Sequence, residues 1–196
     1  MLRVVDDLLD MRLSEVLERV AAPDPAPGAG SVLALTTALA AGVLTMAARA
    51  SREAWPEAAG IAAQAESLRA RAAPLAVRDA ETYQAALSAL EATAGLDPDH
   101  RDWEIGRAFA KAAEAPLELV RISSDVAELS RQVAARADVR LRPDALAAAS
   151  LAAACARGGA ELVAVNLTAS ESDPRVEEAR ILAEAAMRAA ASAFDS

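Results

Sequence analysis

Four groups of residues have the types and spacing to do chemistry. Pro27-Gly28-Ala29-Gly30-Ser31 heads a long uncharged stretch. Glycines let the backbone turn tightly, and a helix start presents unpaired N–H groups, so such a turn can cradle an anion. An ordinary glycine-rich turn with Ser31 as N-cap explains the same spacing. Neither a dinucleotide fingerprint nor a P-loop is present, because no strand precedes the turn and no Lys follows it. In Arg78-Asp-Ala-Glu-Thr-Tyr83, Asp79 and Tyr83 stand one helical turn apart on one face. A carboxylate beside a phenol can orient a water or hold a cationic ring; a solvated turn with a local hydrogen bond gives the same pattern. Asp144 follows Pro143 at the head of an uncharged run. There the helix dipole favours a carboxylate, so Asp144 is either a helix-start residue or a site group. Asn166 is a polar amide among apolar neighbours, and is expected to hydrogen-bond, most often to another helix.

Asp144 and Asn166 are separated by roughly 33 Å of straight helix, so they share no site within one chain unless Gly158-Gly159 bends it sharply. Across a symmetric dimer they can meet. His100 is the only histidine and sits among Asp97, Asp99 and Asp102. With no second His or Cys beside it, no zinc site is expected. Cys155 is the only cysteine and lies in an apolar run, where a buried inert thiol is expected.

The elements that must position these residues are helical. In the 196 residues 54% are hydrophobic but only 3% aromatic, so the core is built from Ala, Leu and Val. Alanine combines high helix propensity with close backbone approach. No convincing strand alternation occurs, and the fold expected is an all-α bundle of about six helices in a single domain, residues 1–196. Val4, Val5, Leu8, Leu9, Leu13, Val16, Leu17 and Val20 fall at helical spacing and predict an amphipathic first helix. Prolines and glycines in residues 22–31 end it. A second helix, about 31–51, is apolar on all sides and should sit centrally. A third stretch runs from Pro56 to about Leu90, interrupted near Ala73 by Pro74. Residues 95–101 read as a loop. A fourth helix, about 102–137, contains Pro116. A fifth begins at Pro143, and a last one at Asp173-Pro174 runs to about Ala193.

The net charge of −9 disfavours a nucleic-acid partner, which needs a basic face. Residues 28–48 carry no charge and are long enough to span a bilayer. Their Ala, Thr and Gly content and lack of aromatic anchors predict a buried core helix, with no membrane partner. The charged N-terminus does not read as a signal peptide, and a cytoplasmic location is expected.

In this order the motifs resemble the cyclodeaminase/cyclohydrolase family of tetrahydrofolate enzymes. Leu13-Ser-Glu-Val-Leu17, then Pro-Gly-Ala-Gly-Ser-Val and an Ala-rich helix ending Met46-Ala-Ala-Arg, is similar to the family's Pro-Gly-Gly-Gly-Ser signature. Residues 78–83 resemble its Arg-Asp-x-x-Ala-Tyr, Glu114-Ala-Pro-Leu-Glu118 its x-x-Pro-Leu kinked helix, and Asp144 through Asn166-Leu167 its Ser-Asp … Asn-Val-x-x-Asn-Leu helix. The chain departs at Ala29, Pro143 and Leu162, and at Ala92-Thr-Ala-Gly-Leu96, where the family commonly carries a lysine. The resemblance implies a homodimer with a folate small-molecule substrate, no metal, and no cofactor beyond tetrahydrofolate. Family members hydrolyse 5,10-methenyltetrahydrofolate to the 10-formyl form, or cyclise 5-formiminotetrahydrofolate with loss of ammonia.

The expectation is therefore a methenyltetrahydrofolate cyclohydrolase. Asp79 or Asp144 would stabilise the cationic amidinium carbon and deprotonate water, Tyr83 would orient, and residues 27–31 with Asn166 would bind substrate. The alternatives are a cyclodeaminase and a homologue that binds without turnover.

Overall fold

The computed structural model describes residues 8–23, 27–168 and 172–195, which form helices and turns with no strand among them. The helices are α1 (Leu13–Ala21), α2 (Ala29–Ser51), α3 (Ala58–Ala72), α4 (Leu75–Ala92), α5 (Pro98–Ala112), α6 (Glu114–Ala134), α7 (Arg142–Asn166) and α8 (Pro174–Phe194). Six predicted stretches account for all eight, because two of them divide near a proline. Pro74 is the residue before α4 and has no N–H to continue the α3 ladder. Pro116 sits in the first turn of α6, where its missing N–H has no helical partner to lose.

Two boundaries differ from the expectation. The loop at 95–101 is shorter, because Asp97 caps α5, its carboxylate accepting from the N–H groups of Asp99 (3.1 Å) and His100 (3.3 Å). This is the Asp-Pro start that also opens α8. The first helix begins only at Leu13. Val4 and Val5 lie outside the described residues, and Leu8 and Leu9 stand in the preceding turn. Only Val16 of α1 is buried, while Leu13 and Leu17 are 72% and 63% exposed.

The core is largely alanine. Ala40, Ala41 and Ala47 on α2 and Ala148, Ala149 and Ala152 on α7 are fully buried. Small side chains bring helix axes close, and two glycines on α7 bring them closer. A Cβ on Gly159 would lie 2.8 Å from Val120 Cγ2 on α6, and one on Gly158 would lie 3.0 Å from Leu33 Cδ1 on α2. These glycines admit neighbours from two sides, and α7 continues through them as one helix.

Helix directions follow from contacts. Leu33 meets Gly158, and the Thr37 hydroxyl meets the Cys155 thiol, so α2 and α7 are antiparallel. Pro116 and Val120 meet Gly159, which puts the start of α6 at the same end as the start of α2. Thr37 also shares a 2.8 Å hydrogen bond with Ser123, which fixes the depth of α6 against α2. Cys155 is buried, and burial pushes its thiol up, as an inert core group requires.

α2 and α7 are both long and apolar enough to cross a membrane, but each packs within the bundle, α2 against α3 and α7, and α7 also against α6 and α8. The expectation that α2 is covered on all sides is corrected in one respect. Leu39 is 68% and Met46 is 45% exposed, so an apolar stripe of α2 faces outward.

Gly159→Ala should lower stability by about 1–3 kcal/mol through overpacking against Val120, although Ala is the better helix former. The midpoint of a urea denaturation curve reads this. A midpoint unchanged or raised would contradict the close α6–α7 crossing.

Candidate active site

The site grows out of the way α4 begins. After Pro74 the chain turns, and the first two turns of α4 lie across the start of α2. Ala76 and Ala80 are buried there, and Asp79, on the same face, is carried inward with them. Ser31 joins the two helices: its hydroxyl is fully buried and donates to the Ala76 carbonyl at 2.7 Å.

Gly30 makes room for the carboxylate. A Cβ on this residue would stand 2.2 Å from Asp79 Oδ1 and 2.3 Å from its Cγ and Oδ2. The Asp79 carboxylate therefore fills the space that a side chain at position 30 would occupy. It is half-buried, and burial pushes its pKa from 3.8 up to about 6, while the backbone N–H of Ser31 pulls the other way. No charged side chain among the described residues enters that shift.

The glycine turn and Asp79, read separately in the sequence, thus form one site. Pro27 is buried, Gly28 is the extended N-cap, Ala29 is exposed, and Gly30 and Ser31 are buried. Two expectations change. Ser31 is not the N-cap; it lies inside the first turn and its side chain reaches α4. And the anion at this helix start is the protein's own carboxylate, which leaves the turn poorly suited to the negative end of a ligand.

The other candidates separate. Tyr83 lies one turn beyond Asp79, half-buried and not hydrogen-bonded to it; Thr82 bonds back to the Arg78 and Asp79 carbonyls at 2.8 and 3.2 Å. Asn166 Nδ2 donates to the Ala112 carbonyl at 3.3 Å, closing the end of α5 at the same end of the bundle as the glycine turn. Asp144 stands at the opposite end. It precedes Gly158 by fourteen residues of continuous helix, about 21 Å, and its neighbour Arg142 donates to the carbonyls that end α8. Within one chain Asp144 does not join Asp79. Sequence reasoning missed Gly30 as a seat and Ser31 as a tie. The signal available was Asp79 at helical spacing with Ala76 and Ala80, a carboxylate on an apolar face.

Several hollows lie elsewhere among the described residues. A groove of roughly 560 Å3 between α7 and α8 is floored by Ala160, Ala164 and Ala183. Arg180 and Arg188 at its rim pair with acidic neighbours on α8, and no buried titratable group faces it. A second, of about 510 Å3, lies beside Pro74, where Arg78 pairs with Glu114 (2.9 Å) and Arg71 with Glu118 (2.6 Å). Paired surface charges carry little chemistry. Among the described residues no three His, Cys, Asp or Glu converge as a metal site. His100 is exposed, 4.0 Å from Glu104.

Residues 12–190 match the family model described as formiminotransferase-cyclodeaminase. The chain belongs to the formiminotransferase-cyclodeaminase family. The fold is similar to that of formiminotetrahydrofolate cyclodeaminase from Thermotoga maritima, with a TM-score of 0.84 and 23% identity over 95% of this chain and 96% of that one. No curated protein sequence matches.

The departures from the family pattern can now be placed. Ala29 replaces a glycine at an exposed position, whereas Gly30 is retained. Pro143 suits the first turn of α7. The turn at 92–96, which lacks the lysine, follows α4 about 20 Å from Asp79.

Because the folded state holds the Asp79 proton more tightly than the unfolded chain, its contribution is complete below about pH 4 and is lost as pH rises through 6. With allowance for partial exposure this amounts to roughly 1–2 kcal/mol. Asp79→Asn should flatten that part of the stability–pH curve, and a curve identical to wild type would contradict the burial of this carboxyl. Gly30→Ala should keep the fold while expelling the carboxylate. The Asp79 titration, followed by carboxyl 13C NMR, should then drop from about 6 towards 3.8, and an unmoved midpoint would contradict the seat.

Proposed function

We propose that the protein is a tetrahydrofolate-dependent enzyme acting on a C–N bond, and that its reaction is hydrolysis of 5,10-methenyltetrahydrofolate to the 10-formyl form. The observation that carries this reading is the Asp79 carboxyl seated on Gly30 with its pKa near 6. At neutral pH such a group is mostly ionised yet basic enough to take a proton, the balance a general base requires. No arginine among the described residues neutralises its charge, which leaves it to stabilise a cationic amidinium carbon. Water attacks that carbon as Asp79 removes its proton, giving a neutral tetrahedral adduct; the ring C–N bond then breaks as the departing nitrogen takes the proton held by Asp79, and the adduct's hydroxyl releases its own proton to solvent as the formyl C=O forms. Tyr83, one turn along α4, is assigned the role of orienting the substrate on this reading. The folate's cationic centre, rather than its glutamate carboxylates, belongs beside Asp79, because two carboxylates there repel.

A second reading is cyclisation of 5-formiminotetrahydrofolate with loss of ammonia, the activity named for the Thermotoga maritima protein that shares this fold. It needs an acid to protonate the departing amine, and the protonated form of Asp79 is the available one.

The homodimer belongs to the same reading. The outward-facing Leu39 and Met46 of α2 support it, as apolar side chains two turns apart for a second copy to cover. Asp144 and Asp79 stand at opposite ends of the bundle in one chain, so a site that uses both needs a second copy. A cytoplasmic location and a folate as the small-molecule partner complete the proposal.

Loss of methenyltetrahydrofolate absorbance with purified protein tests the hydrolysis. Its kcat/KM should rise with pH through about 6 and level off, and Asp79→Asn should reduce it by roughly 10²–10⁴. No turnover above the buffer rate would remove the hydrolase reading. Ammonia release from the formimino substrate that falls as pH rises through 6 would establish the second reading instead.

A further inference from the structure

Ser31 contacts α4 twice. Its hydroxyl donates to the carbonyl of Ala76 at 2.7 Å, and its backbone N–H addresses the carboxylate of Asp79 three residues later. The residue has no solvent exposure, so the hydroxyl is not available to a ligand. The Ala76 carbonyl is one that the α4 ladder already uses through the N–H of Ala80. The Ser31 bond is therefore an addition to a satisfied acceptor, and the helix does not need it. What it adds is position. α2 and α4 otherwise meet here through Gly30 and small side chains, which leave their relative slide and rotation loosely determined. The carboxylate seat tolerates little slide, because the Asp79 oxygens already occupy the place of a Cβ on Gly30.

We propose that Ser31 is a positioning residue, whose buried hydroxyl ties the first turn of α4 to the start of α2 so that the Asp79 carboxylate stays on Gly30 and within reach of the Ser31 N–H. This rests on the reading of Asp79 as the functional carboxyl and gives Ser31 a role other than substrate binding. The groups that bear on Asp79 are few: burial by the packed helices raises its pKa and the Ser31 N–H lowers it, with no charged side chain among the described residues entering from α2 or α4.

The test is Ser31→Ala in the full chain, with Ser31→Thr as the hydroxyl-retaining control and Asp79→Asn to assign the carboxyl resonance. Without the tie the N–H contact lengthens while the burial remains. The Asp79 titration midpoint in 13C NMR should then move upward by about half a unit or more, and the acid limb of kcat/KM should move with it. Ser31→Thr should bring the midpoint back towards wild type. If Ser31→Ala folds, by circular dichroism, and leaves the midpoint where it was, the proposal is overturned and Ser31 is a packing residue. If Ser31→Thr fails to fold, the Ser31→Ala midpoint alone decides. If no variant and no wild-type sample turns over any folate, the NMR midpoint still decides the role of Ser31, so the loss of the functional reading and the loss of this proposal are separable.

Discussion

A carboxylate packed against a residue with no side chain, at the start of an uncharged helix, is the contact on which the rest of this structure turns. Removing a carboxyl from water favours its neutral form, whereas an N–H at a helix start favours its charged form. At Asp79 burial exceeds the Ser31 N–H, and the group comes to rest near pH 6 instead of near 4. That balance exists only while α4 lies close across α2. The closeness has three sources: Gly30, which vacates the space, Ala76 and Ala80, which let the backbone of α4 approach, and Ser31, which ties the two helices.

The same physical device recurs in the scaffold. Gly158 and Gly159 on α7 give way to Leu33 on α2 and Val120 on α6, and Ala positions line the remaining contacts. A bundle so poor in aromatics obtains its cohesion from the number of close contacts rather than from large side chains, since dispersion falls steeply with distance. Polar ties such as Thr37 with Ser123 then select one depth among packings that alanine alone would leave nearly equal. Precision at Asp79 follows from this tightness, because a seat made by absence of a Cβ works only if neighbouring helices cannot slide.

Much of this is written locally in the chain. Asp97-Pro98 and Asp173-Pro174 start helices for reasons a short window contains, and Pro74 ends one for the same kind of reason. Asp79 and the glycine turn were each legible as chemistry-bearing, and the ordered motifs pointed to the family. Their union was not legible, because forty-five residues separate Ser31 from Ala76 and nothing local dictates that contact. Asp144 shows the converse. Its local context, a carboxylate heading an uncharged helix, was as suggestive as that of Asp79, yet the antiparallel run of α7 against α2 carries it to the other end of the bundle. The outward stripe of α2 was hidden for a related reason: a helix apolar on every side gives no hint of which side stays open.

The central claim is that the fold itself raises the affinity of Asp79 for a proton, and direct titration of that carboxyl in the wild-type protein tests it most sharply. With the resonance assigned by comparison with Asp79→Asn, carboxyl 13C shifts followed from pH 3 to 8 should give a midpoint near 6. A midpoint at the ordinary value near 3.8 would mean that the carboxylate stands in solvent and not on Gly30, and the account of the site would be wrong.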